Sequence, residues 1–280
     1  MRNLLVGTAA AAALMGGTGS AAAAPVNIPA VQSTVKYQRT ATGATGQGNY
    51  ARATSKVVFD SATGLYTLRD TGSLTTTSTF GPANITSSAG AFTRYSKTSG
   101  ATTETLRLLN QSPANPLIAL SYTGYGQWRR STTNSTGAAV NDTYLVYGTK
   151  TASADVPRIG SAHYSTILDG TFVNKNGAYA VSGTGNLTAN FAGSSILYDA
   201  TATGTKEVGG ASLPFGTMTG SGTITFASSG FKGTGVANGS GYTMDVNGNF
   251  FGPAAAEVGG LFRITGVGGN GQGAMVGKGP

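Results

Sequence analysis

The chain has 280 residues, of which 44 are glycine, one is histidine and none is cysteine, with 10% charged residues and a formal net charge of +8. Without cysteine there are no disulfides, thiolate nucleophiles, Cys-ligated zinc sites or lipidated cysteine anchor. An apolar content of 39% is too high for a disordered chain.

Residues 1–24, "MRNLLVGTAAAAALMGGTGSAAAA", carry one positive charge at Arg2, an apolar run from Leu4 to Met15, and small residues before a polar chain. This is the pattern of a secretory signal peptide. The run is too short to anchor in a bilayer, and no later segment approaches the ~20 apolar residues of a membrane-spanning helix. Export machinery is therefore the first expected partner. The mature chain is expected to be secreted or at the cell surface, with the periplasm left open, and to carry no lipid.

Residues 25–152 read as a basic, strand-rich domain. Residues 25–164 hold twelve Lys and Arg against five Asp and Glu, whereas residues 165–280 hold five of each. That asymmetry points to an acidic partner for the first half, and a simply solvated basic domain is the plain alternative. Within this half, "YTGYGQWRRS" (122–131) places Tyr125, Trp128, Arg129 and Arg130 together, and contains the only tryptophan. Tyr, Trp and Arg dominate binding hot spots, and arginine pairs well with carboxylates of a protein or of haem. These four are the candidate ligand-binding residues. The alternative is a hairpin whose tryptophan packs in the domain core while its arginines are solvated.

Residues 153–157 are small, polar and proline-terminated, as suits a linker. Beyond them, 158–280 alternates with period two. "YAVSGTGNLTANF" (179–191), "MTGSGTITF" (218–226) and "YTMDVNGNF" (242–250) each set apolar or glycine positions against Thr, Ser and Asn. About eight strands follow, near 160–173, 178–191, 194–205, 217–227, 230–238, 241–251, 258–266 and 271–278. Their succession predicts a closed up-and-down barrel. Alternating glycine with large side chains predicts a packed lumen. The polar outward face excludes a membrane barrel, and a complete apolar interior implies that 158–280 folds alone. Between the sixth and seventh strands, "GNFFGPAAAEVGG" (248–260) predicts a short, helix-prone rim turn in which Glu257 accepts hydrogen bonds from free backbone amides.

Little chemistry is encoded. No G-x-S-x-G is present and only one histidine could act as a base. The ten acidic residues are scattered, and the G-x-G pairs lie in strands rather than before helices. Nucleic acid is disfavoured, because the charge is diffuse and no basic motif occurs. His163 falls on the polar face of the first barrel strand. It reads as a solvated or domain-interface histidine, with ligation of haem left open; no other cofactor is indicated.

"NFFGPAAAEVGGLF" (249–262) resembles the signature of the C-terminal β-barrel domain of the transferrin-binding protein B family: Phe-aromatic-Gly-Pro, then Ala and Glu, then Gly-Gly-x-Phe. "GQGAMVGKG" (271–279) is similar to that family's closing strand, "GSAHYSTILDGTF" (160–172) to its first barrel strand, and "LTANF" (187–191) to a following one. "YLVYGTKT…VPRIGSAHY" resembles the junction between a handle domain and the barrel. The resemblance is specific over 160–280 and loose over 30–150. It implies an all-β fold, in which a β-rich handle precedes a packed eight-stranded antiparallel up-and-down barrel. It also implies an exported binding protein of a Gram-negative bacterium, not an enzyme, for haem, transferrin or another host protein. Most members are lipoproteins, and the missing cysteine makes this chain more similar to soluble secreted members. A structural cell-surface protein without a small ligand is the alternative.

Overall fold

In the computed structural model, residues 26–40, 42–43, 48–70, 76–237, 239–266 and 268–279 are described. The expected signal peptide lies outside them. The first half is one antiparallel sheet of β1 (Val26–Thr40), β2 (Asn49–Asp60), β3 (Leu65–Asp70), β4 (Thr76–Phe80), β5 (Ile85–Ser87), β6 (Phe92–Ser99), β7 (Thr102–Leu109), β8 (Thr123–Asn134) and β9 (Gly137–Gly148). Its spatial order is β4-β3-β2-β1-β9-β8-β7-β6-β5. The second half is a closed barrel of β10 (Ser161–Asn174), β11 (Gly177–Asn190), β12 (Ser195–Lys206), β13 (Ser212–Thr225), β14 (Gly230–Ala237), β15 (Thr243–Phe251), β16 (Glu257–Gly266) and β17 (Gly269–Lys278). Each strand pairs with its sequence neighbour, and β17 closes on β10. Among the described residues, no helix is long and apolar enough to cross a membrane.

The barrel interior follows from its alternation. Tyr164, Leu168, Phe172, Leu187, Phe215, Met218, Phe250 and Phe262 are buried in a single cluster. Phe250 stacks among Phe231, Phe191 and Tyr164, with ring centroids 5.4, 5.5 and 6.2 Å away. The inward glycines make room for large neighbours. A Cβ on Gly220 would fall 2.4 Å from the ring of Tyr198, and that tyrosine crosses the lumen to donate to the Met244 carbonyl at 2.5 Å.

The handle sheet curls so that β4 comes over β6 and β7. Phe80 and Tyr66 meet Tyr95 with ring centroids 6.2 and 6.0 Å apart, Lys97 Nζ donates to the Thr79 carbonyl at 2.8 Å, and Ser78 Oγ donates to Glu104 at 2.5 Å. The concave face buries Leu68, Phe80, Tyr95, Leu106, Trp128, Leu145 and Tyr147.

The other face of the sheet lies on the barrel wall. Phe92, Leu109, Tyr125, Tyr144 and Val146 pack with Phe251, Leu261, Ala274 and Val276 of the barrel, and Val35 and Val140 pack with Val173 and Ala178. The expectation of a polar barrel exterior is thus corrected along β10, β16 and β17, whose outward rows set Val173, Leu261, Ala274 and Val276 among their polar residues where the handle covers them. A barrel of 158–280 alone would expose that wall to water, so its independent folding is no longer expected. Val156, inside the expected linker, is itself buried in the barrel cluster. The domain division we propose therefore runs through a segment that is packed down.

The rim turn also departs from the sequence reading. Pro253–Ala255 forms one 3₁₀ turn, with Ala254 and Ala255 in the left-handed region at φ 51° and 60°. L-residues reach this region at a cost of about 1 kcal/mol or more, so alanine's helix propensity does not decide the conformation here. What holds it is contact: Tyr164 donates its hydroxyl to the Ala255 carbonyl at 2.6 Å, and the Gly279 amide donates to the Ala256 carbonyl at 3.0 Å. Glu257 accepts three backbone amides as anticipated, but from the handle: Ser121 at 2.6 Å, Tyr122 at 2.9 Å and Thr123 at 2.8 Å. Gly252, at φ 73°, leaves no room for a side chain, since a Cβ would meet the Tyr122 ring at 2.4 Å. Residues 149–151 complete the seam through Gly252 N to the Thr149 carbonyl at 2.9 Å and Thr151 Oγ1 to the Gly252 carbonyl at 2.6 Å.

Candidate ligand groove between the handle and the barrel

Period two decides which side chains of the handle meet the barrel. On β8, Tyr125, Gln127 and Arg129 point toward it while Trp128 and Arg130 point the other way. On β6, β7 and β9, Arg94, Arg107 and Tyr144 share the barrel-facing side. The register places Arg94 opposite Arg107, Arg107 opposite Gln127, and Gln127 opposite Tyr144, as one row across four strands. Arg39 comes from β1. The barrel contributes Gly170 and Thr171 of β10, Ala180 of β11, and Glu207 just past β12. Between them lies an open groove of about 550 Å³.

The floor of the groove is a charge network. Arg107 Nη2 pairs with Asp169 at 2.5 Å and its Nε donates to Gln127 at 2.7 Å. Arg129 gives Nε to Asp142 Oδ1 at 2.7 Å and Nη2 to Asp142 Oδ2 and to Glu207. Arg39 Nη1 pairs with Glu207 at 2.8 Å. Asp142 is fully buried and also accepts from Gln127 at 3.1 Å and Thr171 at 2.9 Å. Burial works against the charge of Arg129, but Asp142 first, with Tyr37 and Glu207 beside it, outweighs burial and holds the guanidinium firmly protonated. The hydroxyls of Tyr125, Tyr144 and Tyr37 are pushed far above the usual phenol range, by burial first and by Asp169 or Asp142 next. They remain protonated: Tyr125 donates to Asp169 at 3.0 Å and Tyr37 to Glu207 at 3.3 Å.

This network changes the reading of the charge asymmetry. Three of the handle's arginines, Arg39, Arg107 and Arg129, find acidic partners in the barrel, at Asp169 and Glu207. The four candidate residues do not form one patch. Tyr125 is buried against Phe92 and Asp169, and Trp128 is 2% exposed inside the concave core. Arg130 pairs with Glu104 at 2.7 Å on the sheet's other face. Only Arg129 lines the groove. Neighbours along a strand face opposite sides of the sheet, and that geometry separates these four residues. Replacing Trp128 by Phe should leave a void where the second ring was, offset in part by removal of an indole N–H that has no hydrogen-bond partner among the described residues. We expect a loss of roughly 1–2 kcal/mol in thermal melts, with ligand binding unchanged.

His163 sits on the exposed part of the β10 outer row, beyond the region the handle covers, with Nδ1 3.0 Å from Thr188 Oγ1. Among the described residues, no cluster of three or more His, Cys, Asp or Glu could hold a metal ion. Arg39, Arg94, Arg107 and Glu207 had not been singled out from the sequence. Their alternation marks them as outward, but only the long-range strand order brings them together.

No family model and no curated protein matches the chain. Solved structures do. A variant of the vaccine antigen transferrin binding protein B from Haemophilus parasuis matches with a TM-score of 0.51 at 16% identity, over 89% of this chain and 45% of that one. Transferrin binding protein B from Neisseria meningitidis matches at 16% identity with a TM-score of 0.47, over 89% and 44% of the two chains. The N-lobe of lactoferrin binding protein B from Moraxella bovis matches at 11% identity with a TM-score of 0.40, over 89% and 99%. The chain spans about half the length of the transferrin binding protein B structures. At the level of the fold, the curled sheet seated on an eight-stranded barrel is the architecture found in transferrin binding protein B.

Proposed function

We propose that the chain is an exported binding protein, not an enzyme, and that its ligand is met at the arginine-lined groove between handle and barrel. The observation that carries this reading is the convergence of Arg39, Arg94, Arg107 and Arg129 on one open groove. Arginine is well suited to recognising carboxylates, because its planar fork presents two parallel donors. The architecture shared with transferrin binding protein B supports a binding role, and haem or an iron-carrying host protein are the ligand classes that the sequence resemblance suggests.

Surface plasmon resonance with the mature chain immobilised, and transferrin or haemin as analyte, tests this reading. If the ligand is acidic, association slows as salt rises, because screening removes long-range steering. Binding that is indifferent to salt and to substitution of the groove arginines would contradict the placement. Export is tested separately. Mass spectrometry of the protein recovered outside the cytoplasm should show a chain beginning at Ala24 or Pro25 with no acyl mass. An intact Met1 would overturn it.

A further inference from the structure

We propose that the groove takes a small ligand bearing two or more carboxylates, held through Arg94 and competing with Glu207 for Arg39 and Arg129. The inference rests on the binding-protein reading and narrows it to a ligand class. Arg94 is the first ground. It lies directly opposite Arg107 on the neighbouring strand, and both guanidiniums flank the Phe92 ring, 5.7 and 5.2 Å from its centroid. Like charges directly opposite in a sheet are destabilising. Asp169 answers the charge of Arg107, whereas Arg94 is exposed and has no carboxylate partner among the described residues. A cation kept at a cost to stability, in a groove already lined with arginine, is placed for an incoming anion.

Glu207 is the second ground. One carboxylate serves two arginines, Arg39 and Arg129, whose side chains each remain 28% exposed. Both arginines line the groove, and a second carboxylate can exchange with Glu207 there. The neighbouring guanidiniums already meet carboxylates, and Arg129 meets both oxygens of Asp142, so the donor spacing suits carboxylate. A volume of about 550 Å³ falls in the range of small-molecule sites. A protein surface would need a broad patch of about 800 Å² per partner, and the groove is walled by the sheet on one side and the barrel on the other.

Isothermal titration of the mature chain with citrate, with acetate and inorganic phosphate as companion probes, tests the proposal. Citrate should bind one to one, acetate and phosphate at least tenfold more weakly. Arg94→Gln should lower citrate affinity about tenfold, as expected for loss of one charge-assisted pair, with the melting temperature unchanged or raised. Glu207→Gln should do the opposite on both readouts, tightening citrate binding while lowering the melting temperature. A purely structural Glu207 would not tighten binding. Phosphate binding as tightly as citrate, or citrate affinity untouched by Arg94→Gln, would overturn the ligand class or the site. If citrate gives no heat while transferrin binds, or while haemin, itself a dicarboxylate, binds equally well to the wild-type chain and to Arg94→Gln, the polycarboxylate proposal falls and the binding-protein reading stands. If none of them binds, both fall.

Discussion

Phe250→Ala is expected to lower stability by about 3–5 kcal/mol, the usual cost of emptying a buried phenylalanine site. The side chain is fully buried and sits where three other aromatic rings meet, from β10, β14 and the end of β11. Closed barrels collapse poorly around a void, because every wall is tied by two ladders of hydrogen bonds, so little of the cavity is expected to refill. Thr225→Ala, exposed on β13, should change stability by no more than about 0.5 kcal/mol. Urea unfolding of both variants checks the pair. Equal losses would mean that the inward and outward rows had been interchanged.

Glu257→Ala should cost about 3–4 kcal/mol. Its carboxylate is 2% exposed and accepts from three consecutive handle amides, Ser121, Tyr122 and Thr123. Hydrogen bonds to a charged acceptor contribute about 1.5–3 kcal/mol each, and donors left unpaired in a buried seam lose their solvation as well. Glu257→Gln keeps one acceptor oxygen and should recover part of the loss. Urea unfolding again reads the effect, and a loss below about 1 kcal/mol would mean that the three amides find other partners. The effect crosses the molecule, because the residue belongs to β16 while the amides it holds lead into β8, which carries Tyr125, Gln127 and Arg129 to the groove.

The barrel was legible because its signal is local. Glycine or a large apolar side chain at every second position can be read one strand at a time, and seven of the eight strands fall within a few residues of their expected bounds. The exception is β13, which begins at Ser212 rather than near 217. Pro214 and Gly216 read as breakers, but the ladder takes them up in an irregularity opposite Ala202 and Thr203. The apolar outer wall was missed, although "EVGGLFRITG" and "GQGAMVGK" carry apolar residues on both faces, which is the pattern of strands covered on both sides. Of the groove's residues, only Arg129 was legible. The groove's arginines stand on different strands, and what joins them is the order β1-β9-β8-β7-β6, which no single stretch of sequence encodes. The basic excess of the first half was visible, but two of the carboxylates that answer it, Asp169 and Glu207, lie in the second half.

Handle and barrel form one interlocked body, and the groove exists only while they are held together. The molecule has a single tryptophan, Trp128, buried in the handle, so its fluorescence reports the handle alone. Urea unfolding of the Phe250→Ala protein followed at Trp128 is therefore the most direct test, because the substitution is in the barrel and the probe is not. The tryptophan midpoint should fall together with the circular-dichroism midpoint of the whole molecule, in a single transition. A tryptophan transition that stays at its wild-type midpoint while the barrel unfolds earlier would contradict the account.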